Sequence, residues 1–482
     1  MADRHVVIVG GGVAGLSAAR AALARGRELE RPVAVTVLER SERFGGNVFT
    51  ERVDGFVLDG GPDSWVVTKP AATSLARELG LGAALVGTLE GNRRYYVAWG
   101  DRLHPVPEGL VLGVPTRVGP LVRSRLFSWA GKVRMGLEPF VRARRFEADD
   151  DESIADFAAR RLGREAAERL VAPLLGGISA GDASEISVRA GFPQLVAMER
   201  EHGSLVQGMR AARAQREASA RVANGAASTP HGGGSAFVSL SGGVGELVRA
   251  LVERLRADGA VLREKTTADS VTRAADGRWS VALAGGESLS ADAVLLAVPG
   301  HVAARLAGTF DDGVARALAT IRYGSTATAF LGYRRADVTH PLDGVGFLVP
   351  RAAGRPILAS TWVSSKWADR APEGHVLLRV FFGGTWGERV LAGSDDDLVG
   401  VARGELRALM GVDAEPVMTK VFRFDRASAQ MQVGHLAAMR SIHARLASVA
   451  PGVLVAGGGY DGVGIPDCIR QGQDAGRTLA GG

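Results

Sequence analysis

The order of elements in the N-terminal segment constrains this chain more than any other feature. An apolar run at 5–9 leads directly into a glycine-rich stretch at 10–15 and then a small-residue helix, and a second apolar run at 33–38 ends at Glu39. Strand, glycine turn, helix, strand and acid are the parts of a dinucleotide-binding unit with parallel strands. The pattern therefore predicts that unit near the start of the chain.

Each part of this unit has a physical task. Gly10 permits the tight turn, Gly12 lets the backbone approach a pyrophosphate, and Gly15 lets the helix pack closely on the sheet. The helix N-terminus offers unpaired N–H groups and the positive end of its dipole to the phosphates. Glu39 is placed to accept hydrogen bonds from ribose hydroxyls. We therefore expect a bound dinucleotide.

Length and composition limit the other possibilities. A chain of 482 residues is too long for one simple core, so we expect two or three subdomains. The single cysteine, Cys468, excludes a disulfide framework and a cysteine-based zinc site, and a reducing, cytoplasmic location fits. The net charge of +6 comes mainly from arginine, without a basic cluster interleaved with aromatic residues, so we expect no nucleic-acid partner. No histidines stand at metal-ligand spacing, and we expect no metal.

A change of composition between 109 and 146 predicts a membrane-surface region. Apolar side chains, Trp129 and Phe140 among them, are interspersed there with arginines and almost no acids. Helices with one apolar and one basic face lie in membrane interfaces. No apolar run reaches the roughly 18 residues that a membrane span requires. We expect peripheral binding at the cytoplasmic face, and the alternative is a buried amphipathic helix with a solvated arginine face.

The middle of the chain contains helical and then strand patterns. Ser153 is expected to cap a helix with Asp156 at its third position, and Gly163 to end it. A glycine-broken turn is expected at 173–182 and a mobile loop at 213–235. Alternating apolar patterns between 327 and 382 predict a mostly antiparallel sheet, and helical periodicity follows at 397–410.

The C-terminal segment returns to the nucleotide fold. A strand at 452–457 leads into a second glycine-rich stretch and a final helix. Because the chain starts and ends in the same fold, the middle must be inserted into it. That layout is typical of large flavoprotein oxidases.

At this point the chain resembles the protoporphyrinogen oxidase family, within the FAD-dependent amine oxidase and desaturase superfamily. The resemblance covers essentially the whole chain. Superfamily-level motifs are Glu39, Arg43-x-Gly45-Gly46, the strand 293–299 and Gly457. More specific to the oxidases are Gly61-Pro62-Asp63-Ser64, Phe192-Pro193-x-Leu195 with Glu199, Gly203 and Ser204, Ser241-Gly242-Gly243, and the stretches 346–350 and 462–469. Asn47 departs from the arginine common in the superfamily.

The resemblance implies an α/β fold, a Rossmann-type FAD-binding domain with an inserted mixed-sheet substrate domain and an inserted helical membrane-associating domain. We expect the FAD-binding domain at 1–75, 236–310 and 425–482, the substrate domain at 76–95 and 311–424, the helical domain at 96–212, and the mobile loop at 213–235.

The resemblance also implies the site residues. The expected contacts to the pyrophosphate and adenosine ribose are Gly10, Gly12, Val13, Ala14, Gly15 and Glu39. Those to the flavin end are Gly61, Pro62, Asp63, Ser64, Gly458, Val463, Gly464 and Ile465, and further FAD contacts are Arg40, Arg43, Gly46 and Asn47. The expected contacts to the substrate are Arg94, Gly177, Leu348, Trp362 and Phe381. A flat macrocycle with carboxylate arms needs apolar faces and a cation, and arginine suits a carboxylate.

The implied reaction is the oxidation of protoporphyrinogen IX, with O2 as the electron acceptor. No catalytic triad or carboxylate pair stands out in the sequence, so we name no catalytic acid or base and expect flavin-borne chemistry. The nearest alternative is coproporphyrinogen III, for which Arg93 or Arg102 could meet the extra propionates. More remote alternatives are a flavin amine oxidase, a carotenoid-type desaturase and a tetrapyrrole carrier without activity. A homodimer is possible.

Overall fold

The computed structural model describes residues 4–92, 94–144, 147, 149–177, 181–223, 235–384 and 387–481, with backbone only at 216–223 and 388. At its centre is a five-stranded parallel sheet that both ends of the chain build together. In spatial order its strands are Val261–Arg263, Val33–Leu38, Arg4–Val9, Ala293–Leu296 and Val453–Val455. The predicted nucleotide fold with an inserted middle is therefore confirmed.

Helices and a smaller sheet cover the parallel sheet. On it pack the helices Val13–Glu28, Ala71–Glu78, Gly245–Ala257, Gly300–Ala307, Asp312–Ala319, His435–Val449 and Ile465–Gly481. Beside it lies an antiparallel sheet of Ala268–Arg273, Trp279–Leu283 and Ser288–Ala291. The nucleotide domain also contains two small sheets. One is the hairpin of Thr50–Val53 with Phe56–Asp59, and the other contains the strands Trp65–Val66, Phe237–Leu240 and Leu85–Gly87.

The second large unit is a seven-stranded sheet. Its order is Met418–Gln430, Arg322–Arg334, His375–Gly383, Ala359–Trp362, Gly346–Leu348, Tyr96–Trp99 and Arg102–Pro105. Every neighbouring pair is antiparallel except Gly346–Leu348 with Tyr96–Trp99, which confirms the mostly antiparallel prediction. Helix Asp395–Met410 packs on one face, and the other face packs on Phe56 and Leu58 of the nucleotide domain. Strand Met418–Gln430 runs across the domain boundary expected at 424/425. Short helices Val363–Lys366 and Glu388–Leu391 complete this unit.

The third unit is helical. It contains the helices Val118–Arg123, Trp129–Gly136, Ile154–Leu162, Arg164–Ala166, Ala167–Gly176, Val188–Gly191, Pro193–His202 and Leu205–Ala223, with the hairpin Leu110–Val111 and Val114–Pro115. The predicted cap is present, because the Ser153 side chain accepts a hydrogen bond from the Asp156 N–H. None of the helices in the described part of the chain is long and apolar enough to cross a membrane.

Two sequence predictions in this unit need correction. The turn expected at 173–182 begins inside a π-helix, Ala167–Gly176, whose wider turn accommodates Pro173 without an N–H at that position. Residues 178–180 of that prediction lie outside the described residues. The loop expected at 213–235 is helical as far as Ala223, because its first half is rich in Ala, Arg, Gln and Glu, which are strong helix formers. Residues 224–234 also lie outside the described part.

A buried charge network explains the motif around Glu199 and Ser204. Arg161, fully buried, pairs with Glu138 and Glu199, which are fully buried as well. Glu138 also accepts hydrogen bonds from the Ser204 hydroxyl and from the N–H of Leu205 at the start of helix Leu205–Ala223. These motif residues therefore hold the helical unit together.

Candidate functional site

The glycine turn between the first strand and the first helix is packed on one side and open on the other. A Cβ on Gly10 would stand 2.3 Å from the carbonyl oxygen of Ala297, and a Cβ on Gly15 would stand 2.0 Å from that of Gly10. A Cβ on Gly12 would meet no atom within 4 Å. Gly10 and Gly15 are thus required by the fold, whereas Gly12 faces open space where a ligand could approach.

The helix that follows presents its N-terminus to this space. It has no side-chain cap at Gly12, and the N–H groups of Val13, Ala14 and Gly15 have no acceptor in the described part of the chain. Such groups bind phosphate through hydrogen bonds and the helix dipole. Gly46, with φ +57°, borders the same space, since a Cβ there would meet only Gly12 at 3.5 Å.

Glu39 and Arg43 shape the edge of this space. The Glu39 carboxylate accepts hydrogen bonds from the Gly11 N–H at 2.9 Å and from Ser41. Arg43 donates to the Gly46 carbonyl at 2.8 Å and lies over the Phe49 ring, and burial lowers the pKa of Arg43. Arg40 is exposed next to Glu39.

The stretch 59–64 forms a second loop with close contacts. A Cβ on Gly61 would stand 1.9 Å from the Asn47 carbonyl oxygen, so only glycine fits there. Asn47 in turn reaches the Ala427 carbonyl oxygen with its side chain, at 3.5 Å. Pro62 is exposed at the tip.

Asp63 ties this loop to the seven-stranded sheet. Its carboxylate accepts hydrogen bonds from Lys366 at 2.7 Å, from the Trp367 indole at 3.0 Å and from the Ser64 hydroxyl at 2.7 Å. Burial alone would raise the pKa of Asp63, but the charge and hydrogen bonds of Lys366 outweigh burial and hold the pKa well below its usual range. Asp63 is therefore ionised, and both of its carboxylate oxygens accept hydrogen bonds from groups of the protein.

The C-terminal glycine-rich segment borders the first helix from the other side. A Cβ on Gly458 would meet only the Cys468 sulfur, at 3.9 Å, and the Gly458 carbonyl oxygen accepts a hydrogen bond from the Tyr323 hydroxyl. Val463 and Gly464 are partly exposed. The Ile465 side chain, in contrast, is buried in the core of the nucleotide domain. A ligand at this segment could therefore contact Ile465 only through its backbone.

The register of the seven-stranded sheet places the predicted substrate residues Leu348 and Phe381. Leu348 pairs with Ala359, and Ala359 pairs with Phe381, so the side chains of these three residues point to the same face. This face packs on the nucleotide domain, because Arg379, two residues before Phe381, donates to the Gly60 carbonyl. Leu348 and Phe381 thus share the face of the sheet that turns toward the nucleotide domain, with one strand between them.

Trp362 and Arg94 lie elsewhere. Trp362 pairs with Leu378, which places its side chain on the opposite face, fully buried against Tyr96 and His340. The Tyr96 hydroxyl donates to Asp343, and Arg94 pairs with the same carboxylate at 3.5 Å. Arg94 is therefore linked through Asp343 and Tyr96 to Trp362, which lies on the opposite face of the sheet from Leu348 and Phe381.

The remaining predicted substrate residues are less constrained. Gly177 ends the π-helix, is exposed, and has open space where a Cβ would stand. Arg102 is exposed at the start of the edge strand of the seven-stranded sheet, and Arg93 lies outside the described residues. No group of side chains in the described ranges could hold a metal ion.

Sequence reasoning missed two cations at the 59–64 loop, Lys366 and Arg379. Lys366 binds Asp63, and Arg379 is only 4% exposed between the rings of Phe330 and Phe381. The one available signal was an arginine inside the apolar strand 375–383, which the alternation alone would place on the buried cofactor face.

An uncapped helix N-terminus after a glycine turn, with a mixed sheet inserted into the chain and packed on the nucleotide domain, is typical of a dinucleotide-dependent enzyme. The comparisons identify the dinucleotide. The family model described as flavin containing amine oxidoreductase matches residues 13–479, and the chain belongs to this family. It is an FAD-dependent oxidoreductase, and the open space at Gly12 and Gly46 with the free N–H groups beside it fits the FAD pyrophosphate.

Individual relatives are similar over their whole length. The coproporphyrinogen III oxidase of Bacillus subtilis strain 168 is 36% identical over 98% of this chain and 97% of its own. That of Propionibacterium freudenreichii subsp. freudenreichii is 37% identical over 97% of this chain and 89% of its own. A solved structure from Exiguobacterium sp. 255-15, assigned as a protoporphyrinogen oxidase, is 30% identical with a TM-score of 0.85 and covers 100% of this chain and 99% of that one.

Proposed function

We propose that this protein oxidises a porphyrinogen to the corresponding porphyrin. The observation that carries the proposal is the shared face of Leu348 and Phe381, which presents apolar side chains toward the cofactor domain. A flat, hydrophobic macrocycle is the kind of substrate that such a surface orients. The whole-length relatives that act on porphyrinogens support the same substrate class.

The residues of the chain bind and orient, and the cofactor supplies the redox chemistry. FAD, when bound, would supply two-electron redox chemistry: the substrate would lose a hydride from a saturated bridge carbon and a proton from a pyrrole nitrogen, and both would leave with O2 as hydrogen peroxide. Leu348 and Phe381 would hold the ring and exclude water from it. We assign the FAD contacts to the residues expected from the sequence, with Ile465 taking part through its backbone. No residue is assigned as an acid or base.

Two porphyrinogens are candidates for the substrate. The names of the relatives at 36% and 37% identity favour coproporphyrinogen III. The Exiguobacterium structure favours protoporphyrinogen IX, which the sequence analysis placed first. Coproporphyrinogen carries more propionates, and Arg351, which follows Leu348 closely and pairs with Asp182 beyond the Gly177 end of the π-helix, could receive one.

The test follows porphyrin fluorescence with the FAD-loaded protein in aerobic buffer, with each porphyrinogen in a parallel reaction and peroxide measured at the end. Turnover of either above its spontaneous rate, with peroxide release, supports the proposal, and the faster one is the substrate. FAD-loaded protein that accelerates neither would overturn it.

We also propose that the helical unit binds an anionic membrane surface at the cytoplasmic face. Six of the large apolar side chains exposed on the described part of the protein lie between 118 and 140: Val118 at 73%, Val122 at 41%, Trp129 at 67%, Val133 at 60%, Leu137 at 49% and Phe140 at 84%. Lys132, Arg123 and Arg125 accompany them. Apolar side chains that enter the acyl boundary beside cations that meet headgroups suit such a surface. A homodimer remains a prediction.

A further inference from the structure

Arg379 is a buried cation at the junction between the cofactor loop and the substrate sheet. Its guanidinium lies 4.9 Å from the ring centroid of Phe330 and 4.5 Å from that of Phe381. It donates one hydrogen bond to the Gly60 carbonyl oxygen, at 2.7 Å. Its Nε is buried and has no hydrogen-bond partner in the described part of the chain. An arginine held this way fixes the backbone just before Gly61 and keeps its charge in a region of low dielectric.

The charges around the 59–64 loop do not cancel. Asp59 is paired with buried Arg370 at 3.4 Å, and Asp63 is paired with Lys366 at 2.7 Å. Arg379 is the third cation, and it interacts with both carboxylates only at longer range. At a pH at which both aspartates are ionised, this cluster therefore has one positive charge in excess. Burial disfavours the charged form of Arg379 and therefore lowers its pKa to about 10.

We propose that Arg379 is a positioning residue of the flavin end: it fixes the Gly60 carbonyl and places an unneutralised positive charge beneath the 59–64 loop that favours negative charge on the bound FAD. The inference rests on the placement of the flavin end at 61–64 under the proposed function, but it does not depend on the identity of the substrate.

The chemical consequence is a shift of the redox equilibrium of the cofactor. Two-electron reduction of FAD with uptake of one proton adds one negative charge to it. A cation in a shielded site stabilises that charge more than it would in water. Arg379 should therefore raise the reduction potential of bound FAD and tighten the binding of sulfite, which adds to oxidised FAD as an anion.

Three variants separate charge from geometry. Arg379→Gln keeps an N–H donor for the Gly60 carbonyl and removes the charge, whereas Arg379→Lys keeps the charge. Asp63→Asn removes a negative charge from the same cluster and should act in the opposite direction. Each FAD-loaded variant is reduced at pH 8 beside a reference dye, and its sulfite affinity is titrated from the loss of the visible flavin band.

We expect Arg379→Gln to reduce the equilibrium constant for two-electron reduction at least tenfold, about 30 mV for such a couple. Its sulfite Kd should rise by at least tenfold. Arg379→Lys should stay within about threefold of the unmodified protein in both, and Asp63→Asn should shift both the other way. If Arg379→Gln does not load FAD, Asp63→Asn still tests the charge through the sign of its shift.

Arg370→Met is the matched control for the loss of a buried guanidinium. The control also carries Asp59→Asn, because Asp59 is the carboxylate that pairs with Arg370, so the double variant loses one charge of each sign and the total charge is unchanged. This variant should lose stability but keep the potential. The proposal is overturned if Arg379→Gln and Asp63→Asn both change the equilibrium constant less than twofold, or if Arg379→Lys shifts it as much as Arg379→Gln. All these readings use no porphyrinogen, so they stand even if the substrate proposal fails.

Discussion

Gly472 of the last helix and Ala14 of the first helix are in direct backbone contact: a Cβ on Gly472 would stand 2.1 Å from the carbonyl oxygen of Ala14. One turn later the contact repeats, with a Cβ on Gly476 2.2 Å from the Ala18 carbonyl oxygen. At these two positions the helices that flank the proposed FAD site thus pack without a side chain between them. The last helix therefore supports the helix that we propose for the FAD phosphates.

Substitution of Gly472 by Ala should therefore displace the first helix. Overpacking of this kind costs about 1–3 kcal/mol, and FAD loading should fall with it. Gly404→Ala is the matched control, because Gly404 also lies inside a helix but has no atom within 4 Å of its Cβ position. Thermal unfolding with and without added FAD measures both. Equal behaviour of the two variants would contradict the tight helix contact.

Gly12 and Gly15 should respond differently to the same change. Gly12→Ala meets no protein atom, and its φ of −71° suits any residue, so the protein should fold with stability within about 0.5 kcal/mol of the original. Its FAD affinity should fall at least tenfold, because the methyl group fills the space assigned to the pyrophosphate. Gly15→Ala collides with the Gly10 carbonyl and should lower stability without FAD. Flavin fluorescence titration gives the FAD affinities. Unchanged FAD binding in Gly12→Ala would contradict the assignment of the pyrophosphate to this turn.

The nucleotide fold was predictable because its signals are local. The turn at Gly10 and the close approach at Gly15 depend on residues only a few positions apart, and the fold puts each where the spacing predicts. The Ser153 cap was predictable for the same reason.

The substrate side was less predictable because it depends on register. Whether Trp362 shares a face with Phe381 is decided by which residues pair across their two neighbouring strands, and strand composition does not contain that information. The buried charges were hidden for a related reason. Glu138 looks like a surface residue in the sequence, and only its tertiary partners show why it is inside. Arg379 stands in an apolar strand, but the sequence does not show the Gly60 carbonyl that it binds. Strand Met418–Gln430 was missed because its composition is mostly polar.

Asp59 should give the protein a characteristic pH dependence. Burial raises its pKa from 3.8 to about 6, so between those values the folded state binds the proton that the unfolded state has lost. The contribution of Asp59 to stability is therefore fully present below pH 3.8 and is lost as the pH rises to about 6. The shift corresponds to about 3 kcal/mol.

The measurement compares the unfolding of Asp59→Asn with that of the unmodified protein in urea at pH 4 and pH 7. The variant should become more stable relative to the unmodified protein by about 2 kcal/mol between these two pH values, because Asn does not titrate and part of the Asp59 contribution is already lost at pH 4. Parallel stability profiles for both proteins would contradict the raised pKa.

The exposed stretch of the helical unit should control membrane binding. Trp129→Ser with Phe140→Ser removes the two largest exposed apolar side chains, at 67% and 84% exposure. Sedimentation with anionic vesicles should show at least a tenfold loss of binding, and thermal stability should change little because both side chains are exposed. Val449→Ser, at a 43% exposed site outside the stretch, is the control and should bind as before. Binding that survives the double variant would exclude this surface.

Phe381 and Trp362 should separate substrate binding from sheet stability. Phe381 lies on the face toward the cofactor domain, in register with Leu348. Phe381→Ala removes the ring contact with a bound macrocycle and should raise KM about tenfold, the effect of roughly 1.5 kcal/mol. Trp362 is fully buried on the other face, so Trp362→Phe should lower the unfolding temperature and leave KM within about twofold. Steady-state kinetics with the preferred porphyrinogen measure both variants. A KM effect in Trp362→Phe as large as that in Phe381→Ala would mean that the substrate reaches the face packed against helix Asp395–Met410, and the cofactor-side site would then have to be abandoned.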